Sequence, residues 1–413
     1  MNSAVFDIDS SFETKALTWA DNHFSKFVFT TNADCEGDGF QKFLFMSNQV
    51  GQNFPFFSEN CPVAGYTTYD FKKHLLFDFK THHKDFTFED ACWFEAEIWF
   101  KFSENSVTIF SPFPDVLFQE ILSIAIDNHI ENEEIEFIST TNRTAYIKNY
   151  LNLQHQIKQG NLYLCNYCIS FEAIHENWQP IQAFEKLKQK LPAPFTCFVK
   201  HHSSYLLSAS PEKYLQQKKN KIFSSPIKGT IARNSSPELD KLAANELYNS
   251  EKERNENVMV VDLVRNDLSM IANNVKVEEL FGIYPFSTVY QMISTISGEL
   301  IENPINWEAI FKATFPMGSM TGAPKKNAIY YTDVVENFSR EMYSGTVGYV
   351  LNSEEALLNV VIRGVQFNKE TSKLSIRVGS ACTYMAQPEK EWEECLLKAK
   401  GVLNAINGKI ANL

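Results

Sequence analysis

The strand-like and helix-like segments of this chain follow one another without a regular strand–helix–strand rhythm. Short β-like runs rich in Phe occupy residues 1 to about 135. A helical pattern at 141–160 then precedes a strand at 162–172, and the C-terminal third alternates strands with one closing helix that begins at Pro388. Because parallel strands need a crossover helix between them, this order favours an α+β fold over a doubly wound sheet.

Composition predicts a packed protein with a small-molecule partner. The 413 residues are 44% hydrophobic and 21% charged, which suits a sizeable core and argues against disorder. The net charge of -12 provides no basic field for polyanions, so we expect neither a nucleic-acid nor a membrane-surface partner. An anionic small substrate would therefore need a local basic patch or a metal ion.

The cysteines and the N-terminal segment favour a reducing cytoplasm. The first fifteen residues are acidic and lack a basic start followed by an apolar run, and no stretch is long and apolar enough to span a bilayer. Eight cysteines are scattered without a disulfide framework. Cys165 and Cys168 form a lone C-x-x-C in a strand-like segment, where positions three apart face opposite ways, so we interpret both as packing residues.

A lysine stands at an unusual place in the segment SSPIKGT, between Pro226 and Gly229. If the preceding hairpin turns near Asn220, then Glu212 and Lys228 are equidistant from the turn and could be cross-strand partners, whose Cβ atoms lie about 5 Å apart. Such a pair is either an ordinary surface ion pair or an acid and a nucleophile that share a pocket. The spacing alone leaves both open, since the register could slip by one residue.

Two pairs of glutamates have helical spacing. Glu253 and Glu256 are three residues apart, as are Glu391 and Glu394, which places each pair on one face of a helix. Ser250 and Glu253 form a capping box, so capping explains the first member of that pair but does not explain Glu256. Inward carboxylates from two helices match a hard cation such as Mg²⁺, held by few protein ligands together with substrate oxygens.

The segment TFPMGSMTGAPKK at 314–326 is rich in glycine and small hydroxyl residues, a composition typical of an anion-binding turn of backbone N–H groups. A P-loop is excluded. That motif places its second Gly and its Lys next to each other, whereas Lys325 lies three residues after Gly322. A plain loop-to-helix turn would have the same composition.

Seven motifs that occur in order resemble the chorismate-utilising enzymes, which include anthranilate synthase component I, aminodeoxychorismate synthase component I, isochorismate synthase and salicylate synthase. They are SPE, PIKGT, EKERNENVMVVDLVRNDL, FPMGSMTGAPK, YSGTVGYV, NVVIRGV and PEKEWEEC. The resemblance covers residues 139–406 and implies large, mostly antiparallel β-sheets packed as a sandwich with helices outside. It divides the chain into an N-terminal α+β portion, 1–138, and a chorismate-binding catalytic portion, 139–413.

The lysine of PIKGT is typical of the aminodeoxychorismate synthases, whereas anthranilate synthases carry PIAGT. The resemblance therefore implies conversion of chorismate and ammonia to 4-amino-4-deoxychorismate, on the route to p-aminobenzoate and folate. Lys228 would be the covalent nucleophile at C2 of the ring, and Glu212 the general acid that protonates the departing C4 hydroxyl. Two alternatives are anthranilate synthase component I and a catalytically silent, ligand-binding regulatory subunit.

The resemblance also implies a metal site and a substrate pocket. Glu256 and Glu394 would hold Mg²⁺, supported by Glu253 and Glu391. Substrate contacts are implied for Tyr349, Arg363, Gly379, Ser380, Ala381, Ser319 and Thr230.

Two residues depart from the pattern of related families, and one motif is absent from the sequence. Leu164 stands where isochorismate and salicylate synthases have a lysine, which argues against activation of water. Gln291 replaces a histidine common in anthranilate synthases. The chain contains no G-x-C-x-G nucleophile setting of a glutaminase. We therefore expect ammonia to come from a separate glutaminase subunit or from free ammonium.

Overall fold

The computed structural model describes residues 1–33, 40–76, 82–126, 133–286, 289–302 and 304–411. The strands are β1 (Asn2–Asp7), β2 (Lys26–Ala33), β3 (Phe40–Ser47), β4 (Val63–Thr67), β5 (Ala91–Glu95), β6 (Ile98–Phe102), β7 (Ser106–Ser111), β8 (Ile135–Ser139), β9 (Leu164–Ile174), β10 (Phe195–His201), β11 (Ser204–Ser210), β12 (Lys213–Lys218), β13 (Lys221–Ser225), β14 (Ile227–Ala232), β15 (Ala272–Pro285), β16 (Val289–Leu300), β17 (Gly322–Ala323), β18 (Thr346–Asn352), β19 (Glu355–Val360), β20 (Gly364–Asn368), β21 (Lys373–Cys382) and β22 (Gly408–Ile410).

The helices follow the polar and apolar periodicity of the chain. They are α1 (Phe12–His23), α2 (Lys72–Leu75), α3 (Pro114–Leu122), α4 (Arg143–Lys158), α5 (Pro180–Lys190), α6 (Pro237–Asn249), α7 (Glu251–Ser269), α8 (Trp307–Thr314), α9 (Lys325–Val335) and α10 (Pro388–Ala405). The predicted helix at 141–160 and the closing helix from Pro388 are confirmed, whereas the predicted strand at 357–367 is divided into β19 and β20 by Arg363, whose φ is +54°.

Two large sheets contain these strands. In the described part of the chain thirteen strands form the larger sheet, in the order β1-β7-β6-β3-β2-β10-β11-β20-β21-β9-β8-β22 with β17 beside β9. Nine form the smaller sheet, in the order β14-β16-β13-β12-β19-β18-β4-β5 with β15 also beside β16. All pairs are antiparallel except β8 with β22, so the predicted α+β class with mostly antiparallel sheets is confirmed.

The sheets pack face to face because their strands alternate apolar side chains on both faces. Phe27 and Phe29 of β2 lie in a core beneath the helices, while Val28 between them faces the second sheet. There it shares a core with side chains of both sheets, such as Phe43 and Val347. Helices α1, α3, α4, α5 and α10 cover the outer face of the larger sheet, and α7 and α8 cover the smaller one. The predicted sandwich with outer helices is thereby confirmed.

Both sheets mix strands from the two predicted portions of the chain. In the larger sheet β2 pairs with β10, and in the smaller sheet β4 pairs with β18. Residues 1–138 and 139–413 therefore share one fold. Among the described helices none is long and apolar enough to cross a bilayer.

The C-x-x-C segment lies in β9, as predicted. Cys165 packs beneath the helices with the larger core, whereas Cys168 faces the core of the smaller sheet. Both thiols are free and buried. Their opposite directions confirm that they are packing residues.

A buried ion pair connects three segments at the centre of the fold. The guanidinium of Arg340 bonds both carboxylate oxygens of Glu336, at 2.6 and 2.8 Å. The same guanidinium donates to the carbonyls of Met320 and Asn166, at 2.9 and 2.8 Å. Arg340 and Glu336 are 1% and 3% exposed, so the pair holds β9 and the turn at 318–320 together in a water-free setting.

Replacing Glu336 by Gln should strongly destabilise the protein. The substitution leaves the Arg340 charge buried without a counter-charge, and breaking such a pair lowers the free energy of unfolding by about 3 kcal/mol. Chemical denaturation measures the loss. The matched control is Glu308→Gln, since Glu308 and Lys312 form an i,i+4 pair that is more than half exposed. The control should cost less than about 0.5 kcal/mol, and equal effects of both substitutions would contradict the structural role of the pair.

Candidate active site

A cavity of about 520 Å³ opens where the two sheets, α7 and α10 meet. All of its lining residues belong to 139–413, the portion predicted to be catalytic. Eleven of the thirteen predicted site residues line it: Glu212, Lys228, Thr230, Glu253, Glu256, Ser319, Arg363, Gly379, Ala381, Glu391 and Glu394. The other two, Tyr349 and Ser380, are not among the lining residues.

The predicted cross-strand pairing of Glu212 with Lys228 is wrong. The β12–β13 hairpin pairs Lys213 with Ser225, and Pro226 then ends β13 because proline has no N–H to donate. Lys228 belongs to a new strand, β14, which pairs with β16 rather than with β12. Both side chains nevertheless reach the same cavity, so the acid and the amine are brought together by the way β14 enters, and not by the hairpin register.

Glu212 follows the end of β11 and is 5% exposed. Burial raises the pKa of its carboxyl group to about 7, and the Ser319 hydroxyl and the Lys228 ammonium limit that rise. A carboxyl group with this pKa is substantially protonated at neutral pH. It can therefore donate a proton to a leaving group in the cavity.

Lys228 lies half-buried in the lining of the same cavity. Its Nζ donates to the carbonyl of Ser319 at 3.4 Å. The next residue, Gly229, has a φ of +95°, and a Cβ there would come within 3.1 Å of the Glu253 side chain. Glycine thus permits the turn that carries β14 against α7 and directs Lys228 inward.

The four predicted glutamates lie on two neighbouring helices, at the N-terminal end of α7 and of α10. The Ser250 hydroxyl accepts a hydrogen bond from the N–H of Glu253, so the predicted capping contact is confirmed. Lys252 lies between the carboxylates, with its Nζ 3.2 Å from Glu391 and 4.0 Å from Oε1 of Glu256. That oxygen of Glu256 is buried and accepts no hydrogen bond from the described residues.

The carboxylates crowd one another electrostatically. Burial raises the pKa of Glu253, Glu256 and Glu391, and repulsion from neighbouring carboxylates adds to each rise. Burial also acts on Glu394, but the Lys398 ammonium 2.7 Å away, together with Lys252 and Lys228, outweighs it and lowers the pKa. Concentrated buried negative charge with one unpartnered oxygen fits a hard divalent cation.

Protein ligands alone would not enclose such a cation. In the described ranges no three acidic, histidine or cysteine side chains converge closely enough to hold a metal. Mg²⁺ commonly takes one or two carboxylates and completes its shell with water and substrate oxygens, so the arrangement fits the predicted ion.

The prediction for Tyr349 is not supported by its position. Tyr349 lies in the core between the sheets, where its ring packs against Phe43 and Phe45. Tyr343, in the same YSGTVGYV motif, lines the cavity together with Arg363. Tyr343 precedes β18, so the alternation of that strand does not orient it, and the motif alone left the choice between the two tyrosines undetermined.

The side chain of Ser380 also faces away from the cavity. Its hydroxyl lies 2.9 Å from the Tyr146 hydroxyl, beneath the helices. Gly379 and Ala381 flank it on β21 and face the cavity, where the Gly379 carbonyl accepts a hydrogen bond from Lys398 at 2.9 Å. Lys398 was not predicted, although its i+4 spacing from Glu394 on α10 could have indicated it.

The two positions that depart from the family pattern have different surroundings. Leu164 is buried in β9 beside β17 and is not among the lining residues of the cavity. Gln291 lines the cavity from β16.

The turn at 314–326 contributes Ser319 and Met320 to the wall of the cavity. At Gly322, whose φ is +143°, a Cβ would lie 2.2 Å from the Leu164 carbonyl, so only glycine lets this turn pack against β9.

Comparisons with known proteins identify relatives of this chain, which spans less than two thirds of the length of the curated relatives described here. The aminodeoxychorismate synthase of Arabidopsis thaliana chloroplasts is 36% identical over 277 residues, which cover 65% of this chain and 30% of that protein. Aminodeoxychorismate synthase component 1 of Salmonella typhimurium is 34% identical over 272 residues, which cover 65% and 59%.

A solved anthranilate synthase component I from Streptococcus pneumoniae has a TM-score of 0.75 at 18% identity, and the match covers 98% of this chain and 92% of that one. The likeness of the structures shows the shared fold. The family described as chorismate binding enzyme matches residues 10–404. The resemblance inferred from the seven motifs is thus confirmed, and this chain belongs to the chorismate binding enzyme family.

Proposed function

We propose that this protein converts chorismate and ammonia to 4-amino-4-deoxychorismate, for the synthesis of p-aminobenzoate and folate. One observation supports this most: Lys228 shares a cavity with a buried carboxyl group, Glu212, whose pKa of about 7 suits an acid. Among the described residues no histidine lines that cavity, so these two groups are the natural pair for nucleophilic and acid catalysis.

In the first step the amine of Lys228 attacks C2 of the chorismate ring. Both ring double bonds shift by one position, the C4–O bond breaks, and Glu212 donates the proton that turns the leaving hydroxyl into water. The result is a ring bonded to Nζ, a positively charged nitrogen and the carboxylate of Glu212. Burial of Glu212 supports this role, because a neutral acid is favoured over a carboxylate in a dry site.

In the second step ammonia attacks C4. Both ring double bonds shift back, the C2–N bond breaks, and its electron pair returns to Lys228 as a neutral amine. The new C4 ammonium then returns one proton to the carboxylate of Glu212. Both residues regain their starting state, and the sum is chorismate plus ammonia giving the amino product and water.

The charges of the cavity suit a dianionic substrate. Arg363 lines the wall, and its planar guanidinium can bind one carboxylate through two parallel hydrogen bonds. Glu256 and Glu394 would hold Mg²⁺, with Glu253 and Glu391 in support. When bound, the ion would neutralise the second substrate carboxylate against this acidic wall.

Ammonia would reach the cavity from a separate glutaminase subunit. The sequence has no glutaminase nucleophile motif of its own. The Salmonella relative is named component 1, and this chain covers 59% of it. The name of that relative supports a two-component system, with free ammonium as the substitute donor in the test tube.

The covalent step predicts an adduct on Lys228. Incubation with chorismate and Mg²⁺, without ammonium, should add the mass of chorismate minus one water to the intact protein. The adduct should be absent in Lys228→Ala, because that variant has no amine at this position. Lys221→Ala, which removes an exposed lysine of β13, should retain it. Two results together would refute covalent catalysis: no adduct on the parent protein, and equal rates of chorismate turnover by the parent and Lys228→Ala.

The acid role of Glu212 predicts a particular pH dependence. Glu212→Gln should slow adduct formation at pH 6 by about a hundredfold or more, the range of general acid catalysis. Because burial raises the pKa of Glu212 to about 7, the group is protonated below that pH and loses its proton above it. The ratio of parent to variant rates should therefore fall as pH rises through 7. A ratio that stays constant from pH 6 to 9 would exclude Glu212 as the acid.

Glu394→Gln should weaken Mg²⁺ binding at least about tenfold. Loss of an outer-shell partner of a metal already costs about that much, and Glu394 is proposed as a direct ligand. Calorimetric titration of the protein with Mg²⁺ measures this directly. Glu393→Gln is the matched control, because its exposed carboxylate lies on the same turn of α10 outside the cavity. Equal Mg²⁺ affinity of the two variants would remove Glu394 from the site.

A further inference from the structure

Gln291 is a buried amide without a partner. It lies on β16, is 5% exposed and lines the active-site cavity. Its Oε1 is buried and accepts no hydrogen bond from any described residue. Buried polar groups in native proteins are nearly always hydrogen-bonded, so an exception on the wall of a cavity indicates that a ligand supplies the partner.

The strand register brings Gln291 close to the nucleophile. Thr230 of β14 pairs with Gln291, and Ile227 of the same strand pairs with Ile293. Lys228 therefore lies in the irregular step between these two pairs. Lys228 is two residues from Thr230, the residue opposite Gln291, and the amide and the lysine both line the cavity.

Other polar groups on the wall are already engaged. Ser319 is hydrogen-bonded to Glu212, and the amide of Asn166 contacts the Cys168 sulfur at 3.5 Å. Lys398 bonds Glu394 and the Gly379 carbonyl. Thr230 is exposed, so water can satisfy its hydroxyl. Gln291 is thus a neutral, buried acceptor that the proposed chemistry has not yet used.

We propose that Oε1 of Gln291 binds the incoming ammonia and positions it for attack on C4; this rests on the proposed function. Ammonia must be neutral to attack, and an N–H of neutral ammonia donates to a carbonyl oxygen while its lone pair stays free. A carboxylate would instead favour ammonium, which has no lone pair. A neutral amide carries no negative charge, so it favours ammonium less than a carboxylate would and can hold the reactive neutral form.

This contact acts only in the second step. The ammonia nitrogen forms the C4–N bond with its lone pair as the C2–N bond to Lys228 breaks, while one of its N–H groups remains bonded to Gln291. The proton lost afterwards goes to the carboxylate of Glu212, so Gln291 neither gains nor loses a proton. Capture of the adduct depends on Gln291, and formation of the adduct does not.

The test replaces Gln291 by Met, which has similar length and no carbonyl. At fixed pH and ionic strength, kcat/KM for ammonium should fall about three- to tenfold, the range of one neutral hydrogen bond. Chorismate affinity by calorimetry and the rate of adduct formation without ammonium should stay within twofold. Thermal stability should be unchanged or higher, because an unpartnered buried amide is removed.

Gln217→Met is the matched control. Gln217 is also a buried amide of the smaller sheet, in β12, and its Oε1 likewise lacks a partner among the described residues. It lies outside the cavity, and its Nε2 donates to the carbonyls of Lys219 and Ser353. This control should lose stability and keep the ammonium dependence of the parent.

The outcomes separate the two proposals. If the parent converts chorismate and ammonium and Gln291→Met has the same kcat/KM for ammonium, the role of Gln291 is refuted and the proposed function stands. If adduct formation or chorismate affinity falls as much as ammonium use, Gln291 contacts the ring instead, and the proposal is also refuted. A parent that makes no amino product from chorismate and ammonium refutes both.

Discussion

The buried pair of Arg340 and Glu336 is the interaction on which the site depends. A guanidinium in a dry interior is stable only when every donor finds an acceptor, and here the acceptors are Glu336 and the carbonyls of Met320 and Asn166. Met320 and Asn166 themselves line the cavity. The geometry of the wall is therefore a consequence of satisfying one buried charge.

The cavity combines negative and positive side chains, which suits the proposed anionic substrate of this acidic protein. Glutamates from α7 and α10 concentrate negative charge at the cavity, and Lys228, Arg363 and Lys398 add positive groups to the same lining. Burial acts in opposite directions on the two kinds of group, since it raises the pKa of Glu212 and lowers that of Arg363. A divalent cation would complete this arrangement by making the negative wall attractive to a carboxylate.

Much of the site was predictable because its residues depend on local rules. Helical spacing placed Glu253 with Glu256 and Glu391 with Glu394, and capping by Ser250 set where α7 begins. Alternation in β9 correctly separated Cys165 from Cys168. These predictions needed no knowledge of how distant segments meet.

The predictions that were wrong concerned contacts between distant segments. Counting residues outward from the predicted hairpin turn paired Glu212 with Lys228. In the structure Pro226 ends β13, and the next strand, β14, pairs with β16. The sequence by itself determined the α+β class, the helix faces and the motif set, because short-range periodicity and capping specify them. Only the tertiary structure decided that Tyr343 and not Tyr349 lines the cavity, and that Oε1 of Gln291 finds no donor among the described residues there, because burial depends on which strands become neighbours.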